Sequence, residues 1–417
     1  MRKFNTKLPS LAVAMVALMV AVAMPMGAWA AADDTGTITL GAVVSLTGDY
    51  STNGKLTRDG YNIAVERIND DGGIQVGDTT YKLKIKYYDD ESTSARGAQL
   101  AERIIKQDGV KFLLGPYGSA LTKAIAPVTE KYGVPMIEGN GAARELFQQG
   151  YKYLFAVLNT SDYYLRPAVQ LLAEQAEAEN KDPASMTIAI ATQNDNFSQD
   201  VRDGVVEAAD KAGMKIVIDD KLPPGLNDMT ATLTKVKALK PDALLVSAHA
   251  HGGPLAINQV AQQHVYVPML ALTHCKAGRI VEKYGDKANY ALCASQWDSH
   301  LKYTGRWFDT AAEFDQAVQK KYDYETTYQV AESAASVVVF ANAFEQADSL
   351  DQDKVRDAIA ATDLMTFYGP VKFDDTGKNV AKSMVMYQIQ DQDYKVVAPT
   401  KYATSKLIYP MPKWSER

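Results

Sequence analysis

Short apolar runs alternate with helical stretches along almost the whole chain. Thr37 to Ser45 reads as a buried strand, and after a turn-rich segment Tyr61, Ala64, Val65 and Ile68 recur at helical spacing. Tyr81 to Tyr88 alternates apolar and basic residues as a strand does, and Ala95 to Gln107 is helical again. Phe112 to Leu114, broken by Gly115 and Pro116, leads into a helix ending near Tyr132 and Gly133, then a strand at Val134 to Ile137. A strand within Tyr151 to Thr160 and a helix from near Tyr164 follow, and then the pattern repeats. Strands are expected at Met186 to Thr192, Lys215 to Asp219, Ala243 to Ala248, Pro268 to Leu272 and Tyr290 to Ser295. The helices between them run over Phe197 to Ala212, Met229 to Leu239 and Leu255 to Gln263. This regular alternation predicts an α/β protein of two doubly wound parallel-sheet lobes.

The last third adds helices at Ala311 to Tyr322, Tyr328 to Ala347 and Asp353 to Ala361, then strands at Val371 to Phe373 and Met384 to Gln390. The second helix has an apolar face broad enough to pack inside a lobe. The chain is therefore expected to cross back, giving a multi-stranded hinge that permits closure. The expected division is a first lobe of 33–157 plus 299–372 and a second of 158–298 plus 373–417, with the ligand cleft between them.

Residues 1–30 change the picture of destination. Arg2, Lys3 and Lys7 precede an apolar run from Leu11 to Met26, and Ala28-Trp29-Ala30 supplies small residues at the positions a signal peptidase reads. Cleavage after Ala30 into the periplasm is expected. It leaves 387 residues and moves the formal charge from −6 to −9, which argues against nucleic acid as a partner. The two cysteines, Cys275 and Cys293, form a single pair, expected to be a disulfide in an exported protein. Closing a loop of that size is worth roughly 3 kcal/mol. No CxxC or HxxxH spacing accompanies them, so no metal site is expected.

Candidate chemistry centres on Phe112 to Gly141. Strand, polar turn, helix and strand place Ser119 as an N-cap at the carboxyl end of a parallel sheet, where a small anion or carboxylate would bind. The same residues also suit a plain connection in which Ser119 caps the helix and nothing binds.

Four segments in order, behind the leader, carry a resemblance: Gly41 to Ile74, Tyr87 to Ile105, Gly115 to Ile137 and Phe367 to Gly377. Together they resemble the periplasmic solute-binding proteins of the branched-chain amino acid type, with the type I periplasmic-binding fold. The resemblance implies a monomer serving an ATP-driven importer, with a small-molecule ligand, permease and ATPase subunits as partners, and no cofactor. It implies that a ligand carboxylate meets Tyr117, Gly118 and Ser119 and the loop of Asn140, Gly141 and Ala142. Phe197 stands where an aromatic covers the ligand, and Tyr50 faces the same crevice; both also suit simple packing. Trp297 offers either an aromatic wall or surface packing.

One departure matters. Where amino-acid binders present a carboxylate to the ligand's ammonium, this chain has Thr273 and His274, with His249 and His251 at the end of the preceding strand. Imidazoles suit a carboxylate, phenol or amide better than an ammonium, so the expected ligand is amino-acid-like or another small carboxylate, aromatic acids included. Asp298, Asp195 and Glu138 are the acids left to meet an amine. No nucleophile motif, nucleotide-binding loop or metalloprotease motif is present, so no enzyme is expected. A ligand-sensing protein for amides or aromatic acids shares the fold and is the alternative.

Overall fold

The computed structural model describes Met1 and residues 35–417; the expected leader and its cleavage site lie outside the described residues. The first sheet is built from β1 (Thr35–Val44), β2 (Ile74–Val76), β3 (Thr79–Asp89), β4 (Leu113–Leu114), β5 (Met136–Glu138) and β6 (Leu154–Ala156). Their order is β2-β3-β1-β4-β5-β6, parallel except for the β2–β3 pair. Between these strands run α1 (Ser51–Asp70), α2 (Ser94–Lys106) and α3 (Ser119–Tyr132).

After β6 the chain passes through α4 (Arg166–Ala178) into a second sheet. That sheet holds β7 (Thr187–Gln193), β8 (Lys215–Leu222), β9 (Ala243–Ser247), β10 (Met269–Leu272) and β11 (Leu292–Ser295). Its helices are α5 (Asn196–Lys211), α6 (Thr230–Leu239), α7 (Gly252–Gln262) and the short α8 (Cys275–Gly278) and α9 (Ile280–Tyr284). Next come α10 (Ala311–Tyr322), α11 (Tyr328–Ala347), α12 (Gln352–Ala360) and a hairpin of β12 (Asp363–Thr366) and β13 (Gly369–Lys372). Antiparallel β14 (Val385–Gln390) and β15 (Asp393–Ala398) then complete the second sheet, ordered β15-β14-β11-β10-β9-β7-β8.

The expected return crossing is visible in α11, which lies against α1, β2 and β5 of the first sheet. Close approach needs small residues at the contact: a Cβ on Gly60 of α1 would stand 2.3 Å from the Val330 carbonyl. The chain thus passes between the lobes after β6, after β11 and after β13. These crossings are bonded to one another. Asn159 N–H donates to Gln296 Oε1 (3.2 Å), Gln296 Nε2 returns a bond to Asn159 O (2.9 Å), and Asn379 Nδ2 reaches Val157 O (2.8 Å).

Two local expectations are corrected, and the structure adds to the expected strands. The strand expected over Tyr151 to Thr160 is confined to Leu154–Ala156, because the chain leaves the sheet there for the crossing. Strand β15 has no counterpart in the expectations. Ser119 is the first residue of α3 and not its N-cap; Gly118 holds that position at φ 89°, a backbone region that favours glycine.

Candidate functional site

In each sheet the strand order reverses at one place. Helices leave opposite faces there, and the loops at the strand carboxyl ends part to form a crevice. In the first sheet the reversal lies between β1 and β4, whose following loops carry Tyr50 and Tyr117. In the second it lies between β7 and β9, whose loops carry Asp195, Phe197 and His249; His274 follows β10 next door.

These side chains meet. The Tyr117 hydroxyl lies 2.8 Å from His249 Nδ1 and 3.1 Å from His274 Nε2, and it accepts a bond from Asn53 Nδ2 on α1 at 2.8 Å. One phenol therefore joins a first-lobe helix to two second-lobe imidazoles. It has one proton to donate, so it bonds one imidazole as donor and the other as acceptor. Around it the Tyr50 ring stands 5.0 Å from His249, Phe197 stands 5.2 Å from His274, and Tyr164 meets Phe197 edge-on at 5.0 Å. Burial, then neighbouring His249, pulls the pKa of His274 down to about 3, so its ring is neutral. Burial, with Asp195 and Asp49 nearby, pushes the Tyr50 phenol up to about 12.

Asp195 acts through its carboxylate: Oδ1 caps α5 by accepting from Ser198 N–H (2.9 Å) and stands 3.5 Å from His249 Nε2. Burial pushes this acid's pKa up, but His249 and the Ser198 hydrogen bonds outweigh it, and the carboxyl sits below its usual range.

The loop expected to cradle an anion is occupied by its own chain. Ala142 and Ala143 N–H donate to Ser119 Oγ (3.1 and 2.9 Å), and Asn140 N–H donates to Glu138 Oε1 (2.8 Å). Asn140 Nδ2 turns to Ser333 on α11 (2.7 Å). Glu138 fits beneath the loop because two neighbours lack side chains. A Cβ on Gly115 would stand 1.9 Å from Glu138 Oε2, and one on Gly141 2.3 Å from Thr122 Oγ1. Burial lifts the pKa of Glu138 to about 8. Thr122 lies 3.0 Å from Gly118 O and 3.1 Å from Glu138 Oε2 but has one proton; a protonated Glu138 supplies the second bond.

Trp297 is apart from this cluster. Its ring is buried against Phe314, 5.8 Å away, with Nε1 donating to Phe367 O at 3.0 Å, so it packs at the crossing and forms no wall with the histidines. His251 is exposed at the start of α7. Cys275 and Cys293 are bonded, with Cα atoms 5.9 Å apart, tying the residue after His274 to β11. His274 itself is left-handed at φ 59°, a strained conformation for a residue with a side chain. On one lip of the cleft Arg144 reaches across to Asp200 (2.6 Å) and Glu207 (2.8 Å), and on the other Lys276 pairs with Glu325 (2.9 Å).

Asn53, Tyr164 and Arg144 were not singled out by sequence. Asn53 sits in a polar turn leading into a helix, and nothing local separates it from its neighbours. Among the described residues no group of three or more His, Cys, Asp or Glu could hold a metal, and no helix is long and apolar enough to cross a membrane.

A family profile described as periplasmic binding protein matches residues 37–394. The Leu/Ile/Val-binding protein homolog 8 of Brucella abortus is 24% identical over 383 residues, covering 89% of this chain and 92% of its own. Among solved structures, the branched-chain amino acid transporter substrate binding protein LivJ of Streptococcus pneumoniae, in complex with isoleucine, superposes with a TM-score of 0.75 at 22% identity. The match covers 87% of this chain and all of that one. The ABC transporter solute binding protein of R. palustris in complex with benzoate gives a TM-score of 0.74 at 15% identity, covering 87% and 96%.

Proposed function

The chain belongs to the periplasmic binding protein family, and on that premise we propose that it is the extracytoplasmic binding component of an ABC importer, capturing a small solute by lobe closure. The observation that carries this is the Tyr117 hydroxyl, a first-lobe group bonded to His249 and His274 of the second lobe inside the cleft. Such a contact exists only when the lobes are shut, so anything that favours it favours the closed state. The moving bodies are 33–157 with 299–372 and 158–298 with 373–417. Ligand-contacting roles fall to Tyr50, Tyr117, Asn140, Phe197, His249 and His274, while Ser119, Gly141 and Ala142, bonded within their own loop, shape the wall behind them. The shut form then docks on a membrane permease and its ATPase, with no covalent step. Export with removal of residues 1–30 delivers the protein to that partner.

The test is small-angle scattering on the mature protein with and without the solute that co-purifies with it, identified by mass spectrometry after denaturation. Solute should reduce the radius of gyration. Tyr117→Phe removes a hydroxyl with three buried partners and should cost the closed form about 1–3 kcal/mol, weakening the solute's dissociation constant by about five- to 150-fold. A radius that ignores solute would end the capture reading.

A further inference from the structure

On the lip where Lys276 meets Glu325 lies a cavity of about 350 Å³, none of whose lining residues belongs to the cluster around Tyr117. Its first-lobe wall is the start of α1 together with the residues leading into α11. Its second-lobe wall is α8 and α9, directly after the disulfide at Cys275. Whatever fills this space touches both lobes.

The charges of the lining do not cancel. Arg58 lies 2.8 Å from Asp59, Lys276 lies 2.9 Å from Glu325, and Arg279 is paired with Glu282, so each acid is held by a cation. Among the described residues the exposed Lys55 has no carboxylate partner, and it leaves the lining one cation in surplus. The field inside favours an anion, although water and salt reaching Lys55 screen it.

The more specific feature is the start of α11. Thr327 is the N-cap of that helix and lines the cavity, yet its side chain caps nothing: the residue is 3% exposed and Oγ1 has no partner. Thr310 shows the ordinary arrangement at α10, where Oγ1 accepts from Glu313 N–H at 3.0 Å. At α11 the Thr327 carbonyl accepts from Val330 and Ala331 N–H (3.2 and 3.3 Å), and the hydroxyl is left over. A buried hydroxyl without a partner is unfavourable until one is supplied. The twenty-residue helix adds the positive end of its dipole at the same place. A carboxylate oxygen answers both, and Leu56, Ala277 and Tyr324 give the hydrocarbon part of an acid an apolar wall.

We propose that this lip cavity is a second ligand site, taking a small organic acid whose carboxylate accepts from Thr327 at the start of α11, and that the bound acid favours the shut form by filling a space walled by both lobes. The coupling to closure rests on the capture reading above; the site itself does not.

Titration calorimetry on the mature protein, both free of solute and loaded with its co-purified solute, tests this with phenylacetate and its uncharged counterpart phenylacetamide. Phenylacetate should bind the loaded protein at one site, and phenylacetamide about tenfold more weakly. Thr327→Val removes a hydroxyl that bonds nothing and should melt no lower than the parent, yet weaken phenylacetate about fivefold. Lys55→Gln should weaken it about twofold, a loss that salt erases. Saturating phenylacetate should in turn tighten the solute about fivefold, as the reciprocity of linked sites requires. Phenylacetate that binds no better than its amide, that ignores Thr327→Val, or that competes with the solute overturns the second site and leaves solute capture standing. Binding that depends on Thr327 but leaves the solute's affinity unchanged overturns the coupling. A radius of gyration that no co-purified solute changes overturns capture and the coupling with it, while the response of the solute-free protein to Thr327→Val still decides the site.

Discussion

On the first-lobe wall of the cleft the buried titrating group is a carboxyl, Glu138, with a pKa raised to about 8; on the second it is an imidazole, His274, lowered to about 3. Burial acts on both, and in each it disfavours the charged form. Near neutrality both walls are therefore uncharged at these positions, and they respond to pH in opposite senses. Between about 4.5 and 8 the unfolded chain ionises Glu138 while the folded chain keeps its proton, so stability falls as pH rises. Between about 6.5 and 3 the unfolded chain protonates His274 while the folded chain does not, so stability falls as pH drops.

The largest expected effect separates these limbs. Glu138→Gln should flatten the alkaline decline and His274→Gln the acid one, each by as much as about 5 kcal/mol over its window, read from urea denaturation at pH 3 to 9. Two variants that flatten the same limb would break the comparison.

A second difference is covalent. The second-lobe wall is tied by Cys275–Cys293 directly after His274, whereas the first is held by hydrogen bonds alone. The double change to alanine should cost about 3 kcal/mol on the chain-entropy account. Hydrogen exchange should rise around His274 and remain unchanged from Gly118 to Ala143. Equal loosening of both walls would show that the bond acts on the whole protein.

The smallest effect concerns the lip, where Arg144 of the first lobe pairs with acids of the second at 29% side-chain exposure. Arg144→Ala should shift the open and closed populations by about 1 kcal/mol, and salt should shrink the difference. Scattering at two ionic strengths measures it; a salt-independent change would point to packing instead.

Strand and helix alternation made both sheets legible in the sequence, and α11 was expected with the bounds it has, because periodicity is a local signal. The strand order was not legible there, and it was the resemblance that brought Tyr50, Tyr117, Phe197, His249 and His274 to one cleft. What local pattern could not convey was pairing across distance. Tyr117 and His249 are 132 positions apart, and Asn53 becomes notable only beside them. Ser119 illustrates a subtler limit: its position after a polar turn suggested a cap, but Gly118 takes the backbone role and leaves the hydroxyl to hold Ala142 and Ala143. Trp297 was ambiguous for a similar reason, since only the fold reveals Phe314 and Phe367 around it.

The cross-bonded crossings between the lobes bear on how occupancy could be reported. A single tether would let one lobe swivel freely, so that many orientations accompanied any given gap. Three segments tied by Asn159, Gln296 and Asn379 resist torsion and leave bending about one axis as the soft motion. On the closure proposed above, the outer tips of the lobes travel along a fixed arc, and the span between them becomes a ruler with a single coordinate, which the proposed docking partner would read without touching the solute.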